Sequence, residues 1–460
     1  MKRTLSGFAQ ACGGHLTGAD GAYTDVVSDS RALEPGQLFV ALRGPTFNGN
    51  DFVGAARERG AAGAVVEAAQ SVPVPQIVVN DTQVALARAA ASWREGFSGQ
   101  LVGVAGSNGK TTTKEMTAAI LSEAGKCLAT RGNLNNHIGV PLTLLRLTGA
   151  HRFAVVEMGA NRAGDVAGLV KIASPTIGVI TNAGAEHLEG FGSLDGVARA
   201  EGEMVAGLDP EATAVINADD GFFGLWRSLT RARVVSFGVR ARADFRASDV
   251  RTAVGASGFH TSFTLHTPAG SADIRLALGG AHNIANALAA AAAAASAGAT
   301  LAQVVSGLAA VRAVPGRLQF KQAASGAWLI DDSYNANPSS VRAAIEVLAT
   351  LSGRRWLVLG DMAELGEHAV GAHADMGEFA RQHGVERLYA LGPLAALAAE
   401  SFGAGAQAFS DAPSLTAALG GALATSGPDV RLLVKGSRVN RLERVVDALT
   451  GGSGASQGGH

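Results

Sequence analysis

An excess of charge of either sign is missing from this 460-residue chain: 38 Lys and Arg stand against 39 Asp and Glu, a net charge of -1. No long charge run breaks the balance, which excludes a bulk electrostatic pull toward nucleic acid or a membrane surface. Cysteine is scarce. Cys12 and Cys127 lie far apart with no metal-type spacing, and a reducing cytoplasm suits them. The first seven residues, Met1 to Gly7, lack the apolar stretch of a signal peptide. The most apolar window, Ile284 to Ala299, is mostly alanine and reads as a packed helix, so no membrane insertion is expected. No short internal repeat is present.

What is abundant is apolar and small. Hydrophobic residues make up 47% and glycine 60 positions, enough for several cores with many turns. The length fits three domains of ordinary size. One turn carries most of the information. An apolar run from Leu101 to Ala105 feeds Gly106-Ser107-Asn108-Gly109-Lys110-Thr111-Thr112-Thr113. A buried strand, a glycine turn and a helix opening on lysine and hydroxyls make a phosphate-gripping loop, in which the helix-start N–H groups, the positive dipole end and the Lys110 ammonium converge. Thr111 would place its hydroxyl on an accompanying Mg²⁺. The spacing Gly-x-x-Gly-Lys-Thr is shorter than the usual loop, and a glycine-rich turn that binds nothing is the alternative.

The remaining pattern is strands alternating with helices. Strands are expected at Asp25–Ser28, Gln37–Ala41, Ala64–Glu67 and Gln76–Val79, helices at Asp51–Arg59 and Thr82–Glu95, and a hinge at Gly96–Gly99. A second unit begins at Leu101, with strands at Phe153–Glu157, Thr176–Thr181, Ala212–Asn217 and Val234–Gly238. Alternating segments from Ala243 to Leu278 read as antiparallel hairpins, followed by a long helix from His282. The third unit has strands at Trp328–Asp332, Trp356–Gly360, Arg387–Leu391 and Arg431–Lys435, with helices between. The expected class is α/β: a small N-terminal α/β domain (1–98), a central P-loop mononucleotide-binding parallel sheet (99–314) and a C-terminal Rossmann-like open sheet (315–450), then a disordered Gly/Ser tail (451–460). No Gly-x-Gly-x-x-Gly follows the third unit's first strand, so no dinucleotide is assigned to it.

Several polar groups leave strand ends, where open α/β sheets bind ligands. Glu157 ends an apolar strand and would complete a Mg²⁺ shell, or is a solvated glutamate. His187 follows the next strand and would ligate metal or move a proton, or else packs or caps a helix. Asn283 and Asn286, three apart, present both amides on one helical face, suited to a purine edge or to capping. Arg317 lies in the joint between the second and third units, placed to reach phosphate on domain closure or to form an interdomain salt bridge. Asp331 to Pro338 and Lys435 to Arg438 are two polar strand exits on one sheet. Ser30 and Arg31, after an early strand, suit a diphosphate only weakly.

Taken together, these segments resemble the Mur ligases, ATP-dependent amide-forming enzymes of peptidoglycan synthesis, over about residues 20 to 449. Asp29-Ser30-Arg31, the Gly106–Thr112 loop, Gly132–Pro141, Glu157–Asn161, His187–Gly192, His282–Asn286, Asp332–Pro338 and Gly360–Gly366 carry the likeness. It is greatest to the member that adds D-alanyl-D-alanine to UDP-N-acetylmuramoyl-tripeptide. The resemblance implies a cytoplasmic enzyme, a monomer by expectation, using ATP and two Mg²⁺ ions. By it, Lys110 grips phosphates within a loop of Gly106, Ser107, Asn108, Gly109, Thr111 and Thr112. Thr111 and Glu157 hold one metal and His187 assists a second. Asn283 and Asn286 face adenine, Asp332 the ribose and Arg317 the phosphates. Ser30 and Arg31 fall near the UDP end. Asn133, Asn135 and Asn136 line the muramoyl-peptide path, and Tyr334, Asn335 and Asn337 the dipeptide pocket.

One position departs. Where family members carry a lysine that CO₂ carbamylates to help hold the second metal, this chain has Glu201. Glutamate brings a carboxylate without CO₂ but is shorter by about 4 Å when extended. Three readings stand: a built-in substitute, with ligation independent of bicarbonate; a weakened second metal site; or a drifted variant. Glu186 also replaces a small residue. The competing functions are a folylpolyglutamate-type ligase, against which residues 25–95 argue, and a nucleotide-binding homologue weakened through Glu201.

Overall fold

The computed structural model describes residues 3–186, 188–255 and 258–451. Short apolar runs bounded by glycine and polar turns form its strands, and the chain folds as a three-domain α/β protein. The first sheet comprises His15–Thr17 (β1), Val26–Val27 (β2), Leu38–Val40 (β3), Gly63–Val66 (β4) and Gln76–Val78 (β5), in the order β1-β5-β4-β3-β2. Only β1 pairs antiparallel. Thr82–Glu95 (α1) follows, with the Asp81 carboxylate accepting the Gln83 and Val84 amides as its cap.

The segment expected as a hinge is held down in this structure. Arg94 is buried and donates to the carbonyls of Ala173, Phe97 and Ser174 at 2.8, 2.8 and 2.9 Å. Trp93 donates its indole N–H to the Leu147 carbonyl. The first and second domains are thus tied through the end of α1, and Gly96–Gly99 has no independent swing while those bonds hold.

The central sheet holds Gln100–Ala105 (β6), Cys127–Ala129 (β7), Phe153–Glu157 (β8), Ile177–Ile180 (β9), Thr213–Asn217 (β10), Arg233–Gly238 (β11), Phe245–Gly255 (β12), Gly258–Thr267 (β13) and Gly270–Leu276 (β14). Its order is β14-β13-β12-β11-β10-β9-β6-β8-β7. The expected hairpins are present as β12–β14, but they extend the same sheet: β12 pairs parallel with β11 and antiparallel with β13. β6 lies between β8 and β9, so the strand order reverses there. A crevice opens outside the carboxyl ends of the strands at such a point. Lys110–Ser122 (α2) leaves β6 directly, Leu194–Ala206 (α3) packs beside β9, and Ala281–Ser296 (α4) packs against α2. The apolar window is therefore a core helix: Ala287 to Ala294 are all buried.

The third sheet is Gln319–Gln322 (β15), Trp328–Asp332 (β16), Arg354–Gly360 (β17), Arg387–Leu391 (β18), Ala406–Phe409 (β19) and Val430–Lys435 (β20), in the order β15-β16-β20-β17-β18-β19. Asp332 and Lys435 are register partners on β16 and β20, so the two polar exits are neighbours as expected. Pro338–Ala349 (α5) begins just past β16, and Ala369–Gln382 (α6) covers the sheet farther along. Residues 452–460, the expected tail, lie outside the described residues.

Candidate active site

Backbone geometry explains the two loop glycines. Gly106 has φ +121°, and a Cβ there would lie 2.1 Å from Thr181 Oγ1. Gly109 has φ +84°, and its Cβ would meet Asn286 Oδ1 at 2.2 Å. No side chain larger than hydrogen fits either place. Gly109 is also the N-cap of α2 and supplies no capping side chain, which leaves the helix start open to an anion.

The rest of the loop is tied to β9's exit. Ser107 N–H donates to the Asn182 carbonyl and Asn108 N–H to Asn182 Oδ1. Gly106 N–H donates to Glu201 Oε2 at 2.6 Å. Glu201 is 1% exposed on α3 and reaches the site through this amide. Burial pushes its carboxyl up to about 7, with Lys110 and the Gly106 amide opposing and Glu186 adding to the rise.

Lys110 Nζ turns onto its own loop. It donates to the carbonyls of Gly106 and Ser107 at 2.5 and 3.1 Å and lies 3.4 Å from Glu186 Oε1. Burial alone would lower its pKa, but Glu186, Glu201 and Glu157 together outweigh burial and Arg317, and the net shift is upward. The lysine is held charged, as phosphate recognition requires. Glu186 is thus part of the site, although its sequence position signalled only a departure from a small residue. The available clue was a carboxylate in the segment leaving β9, the strand paired with the one that feeds the phosphate loop.

Two cavities of about 350 Å³ each open from this centre. Asn283, Asn286, His282, Leu278 and Ala343 line the first, together with Thr112 and Asn108. Both asparagines are buried and bonded in series: Thr113 Oγ1 donates to Asn286 Oδ1, Asn286 Nδ2 to Asn283 Oδ1, and Asn283 Nδ2 to the Gly279 carbonyl. Neither is a solvated residue. An apolar slot edged by amides matches a purine.

The second cavity is lined by Thr111, Asn133, Asn135, Asn136, Glu157, Glu186, Tyr334, Asn335 and Asn337. Glu157 is 2% exposed, its Oε1 takes 2.8 Å donation from Asn135 Nδ2, and its Oε2 is buried without a protein partner. An orphaned carboxylate oxygen fits a hard cation. Among the described residues no three His, Cys, Asp or Glu converge as a metal cage. Mg²⁺ suits that sparse set, because it takes one or two carboxylates plus phosphate oxygens. His187 lies outside the described residues.

Arg317 crosses from the joint. Its NH2 donates to Thr111 Oγ1 at 3.2 Å, and its guanidinium stacks 4.4 Å over the Tyr334 ring. Asp332 pairs with Lys435 at 2.6 Å and lines both cavities. Asn337 caps α5, and its side chain is bonded to Ser340 N, Ser339 and Asn108. Asn335 Oδ1 accepts the Ala336 amide. Ser30 and Arg31 line neither cavity, and Arg31 makes a two-point pair with Asp29 at 3.0 and 2.9 Å on an exposed turn.

Three family models cover this architecture in chain order. Residues 22–94 match the "Mur ligase family, catalytic domain", residues 104–294 the "Mur ligase middle domain" and residues 316–438 the "Mur ligase, glutamate ligase domain". The chain belongs to the Mur ligase family. The Mur ligase of Escherichia coli K12 named UDP-N-acetylmuramoyl-tripeptide–D-alanyl-D-alanine ligase is 44% identical over 448 residues, 97% of this chain and 98% of that one. MurF from Acinetobacter baumannii superposes with a TM-score of 0.91 at 35% identity, covering 98% of this chain and 99% of that one. MurF from Thermotoga maritima, solved in complex with ADP, gives 0.82 at 28%, covering 93% and 97%. Among the described residues no helix of this Mur ligase is long and apolar enough to cross a membrane.

Proposed function

We propose that this Mur ligase adds D-alanyl-D-alanine to UDP-N-acetylmuramoyl-tripeptide with consumption of ATP, in peptidoglycan synthesis. The near-complete alignment with the E. coli ligase of that name carries the reading. Lys110, Glu157 and Arg317, from a loop, a strand end and an interdomain joint, converge on one cleft and support it.

The chemistry follows from the charges. The tripeptide's terminal carboxylate oxygen attacks the γ-phosphorus, and the bond to ADP breaks. Lys110, the open amides of α2 and Arg317 receive the negative charge on the transferring phosphoryl group. The resulting acyl phosphate has a good leaving group. The dipeptide's amine, after its ammonium form gives one proton to solvent, attacks the acyl carbon; the C–O bond to phosphate breaks, and the nitrogen's surplus proton leaves with phosphate or solvent. Mg²⁺ held by Thr111 and Glu157 would neutralise phosphate oxygens during the first transfer. Asn283 and Asn286 take the adenine and Asp332 the ribose. Asn133, Asn135 and Asn136 face the muramoyl peptide, and Tyr334, Asn335 and Asn337 lie toward the dipeptide. Residues 1–98 serve as the UDP-sugar unit, 99–314 as the ATPase and 315–450 as the amine-bringing unit.

Incubation with UDP-N-acetylmuramoyl-tripeptide, ATP, Mg²⁺ and D-Ala-D-Ala, read by mass spectrometry, should yield the pentapeptide product with one phosphate per amide. ADP release stimulated by another acid acceptor and not by the tripeptide would replace this reading. Absence of any ATP consumption would favour a catalytically weakened homologue.

A further inference from the structure

We propose that Asn108 is a positioning residue that transmits domain closure into the phosphate loop. Of the two residues between the loop glycines, Ser107 turns toward its own domain, accepting the Gly184 amide at 2.8 Å on Oγ. Asn108 turns outward. Its Nδ2 donates to Ser339 Oγ at 3.0 Å, Ser339 Oγ donates to Asn337 Oδ1 at 2.9 Å, and Asn337 Nδ2 donates back to Asn108 Oδ1 at 2.9 Å. The three side chains close a ring of hydrogen bonds in which every polar atom has a consistent role.

The ring joins two rigid anchors. On the loop side, Asn108 N–H donates to Asn182 Oδ1, and its carbonyl accepts Thr181 Oγ1 and Asn182 Nδ2 at 2.7 and 2.9 Å. On the other side, Asn337 is the N-cap of α5, accepting the Ser340 amide at 2.8 Å while Ser340 Oγ accepts the Asn337 amide. A shift of α5 is therefore carried to the loop through two short side-chain bonds. Ser339, Ser340 and Ala343 of α5 line the amide-edged cavity together with Asn108 and Gly109 of the loop. The ring sets the width of that slot and its closure to water. Arg317 reaches Thr111 from the same domain, so the ring also holds the separation across which that arginine acts.

The role bears on coupling. An acyl phosphate exposed to water hydrolyses, giving phosphate without amide, and exclusion of water depends on closure. This inference rests on the ligase reading above, and the test keeps the two apart. Wild type, Asn108→Ala, Ser339→Ala, Ser339→Thr and the double alanine variant are compared with the tripeptide substrate, ATP and D-Ala-D-Ala. We expect kcat to fall about ten-fold or more in each single alanine variant, since misplacement of ~1 Å costs on the order of 10²-fold. The ATP KM should move less. Phosphate released per amide formed should rise above one. Ser339→Thr, which keeps the hydroxyl, should restore the wild-type ratio. The double variant should be no worse than the poorer single one, because both remove the same ring.

Additive losses with one phosphate per amide retained throughout would overturn the proposal. Ser339 lies outside the loop, so Ser339→Ala reads the same bond even where Asn108→Ala fails to fold. A wild-type protein that forms no amide would instead sink the ligase reading.

Discussion

Glu201 is a carboxyl buried beside a lysine and a second glutamate, and its titration is legible from its surroundings. Burial first, then Glu186 and Glu203, move it from 4.5 to about 7, against Lys110 and the Gly106 amide. A pKa raised on folding means that the folded chain binds more protons than the unfolded one between those values. Stability from this group is therefore present below about pH 4.5 and lost as pH rises toward 7. Glu201→Gln should flatten the pH dependence of Tm between pH 5 and 8, gaining on wild type at the alkaline end by on the order of 3 kcal/mol. Parallel melting curves across that range would refute the assignment. At this scale the convergence of Lys110, Thr111, Glu157 and Arg317 on one cavity was legible, because strand ends and one joint limit where they can lie. Glu186 was not, since a carboxylate beside a histidine is ambiguous until the loop it faces is known.

α6 shows how an element holds a loop that carries part of the family pattern. His373 is fully buried; its Nε2 accepts the Met362 amide at 2.8 Å, and its Nδ1 donates to the Ala369 carbonyl at 2.6 Å. Burial lowers its pKa, with the Ala369 carbonyl and Asp361 opposing. Here the unfolded state binds the extra proton, so stability is full above the ordinary histidine range near 6.5 and falls as pH drops through it. His373→Leu should cost about 1–3 kcal/mol at neutral pH by orphaning the Met362 amide. It should also remove part of the acid-side loss, as scanning calorimetry at pH 5 and 7 would reveal. An equal acid loss in the variant would place the sensitivity elsewhere. Long periodic helices such as Thr82–Glu95 and apolar strands such as Phe153–Glu157, Trp328–Asp332 and Arg387–Leu391 were readable to the residue. The short edge strands β1, β7, β15 and β19 were not, because they lack the fully buried apolar run of the equally short β3 and β4 and gain their bonds from a neighbour.

Across the whole molecule, the β12–β13 hairpin joins domains that the loop ring also joins. Phe259 on β13 is buried in the third domain's core and packs edge-to-face on Phe320 with ring centroids 4.6 Å apart. The central sheet therefore contributes a side chain to another domain's interior. Phe259→Ala should lower stability by about 3–5 kcal/mol, the usual cost of a truncated buried phenylalanine. It should also enlarge the radius of gyration seen by small-angle scattering as the third domain loosens. An unchanged scattering profile would show that the loop and Arg317 contacts suffice to hold it.

Local chemistry decided the α/β class, the order of three domains and the phosphate loop, because strand, turn and helix-start requirements are met within a few consecutive residues. Tertiary structure alone decided that Gly96–Gly99 is clamped by Arg94, that Glu201 is used on the Gly106 amide, and that Asn108 and Asn337 bond to each other. Those contacts join residues from 95 to 229 positions apart, or pair a helix end with a distant carbonyl. Side-chain direction and domain placement, which no local spacing encodes, determine them.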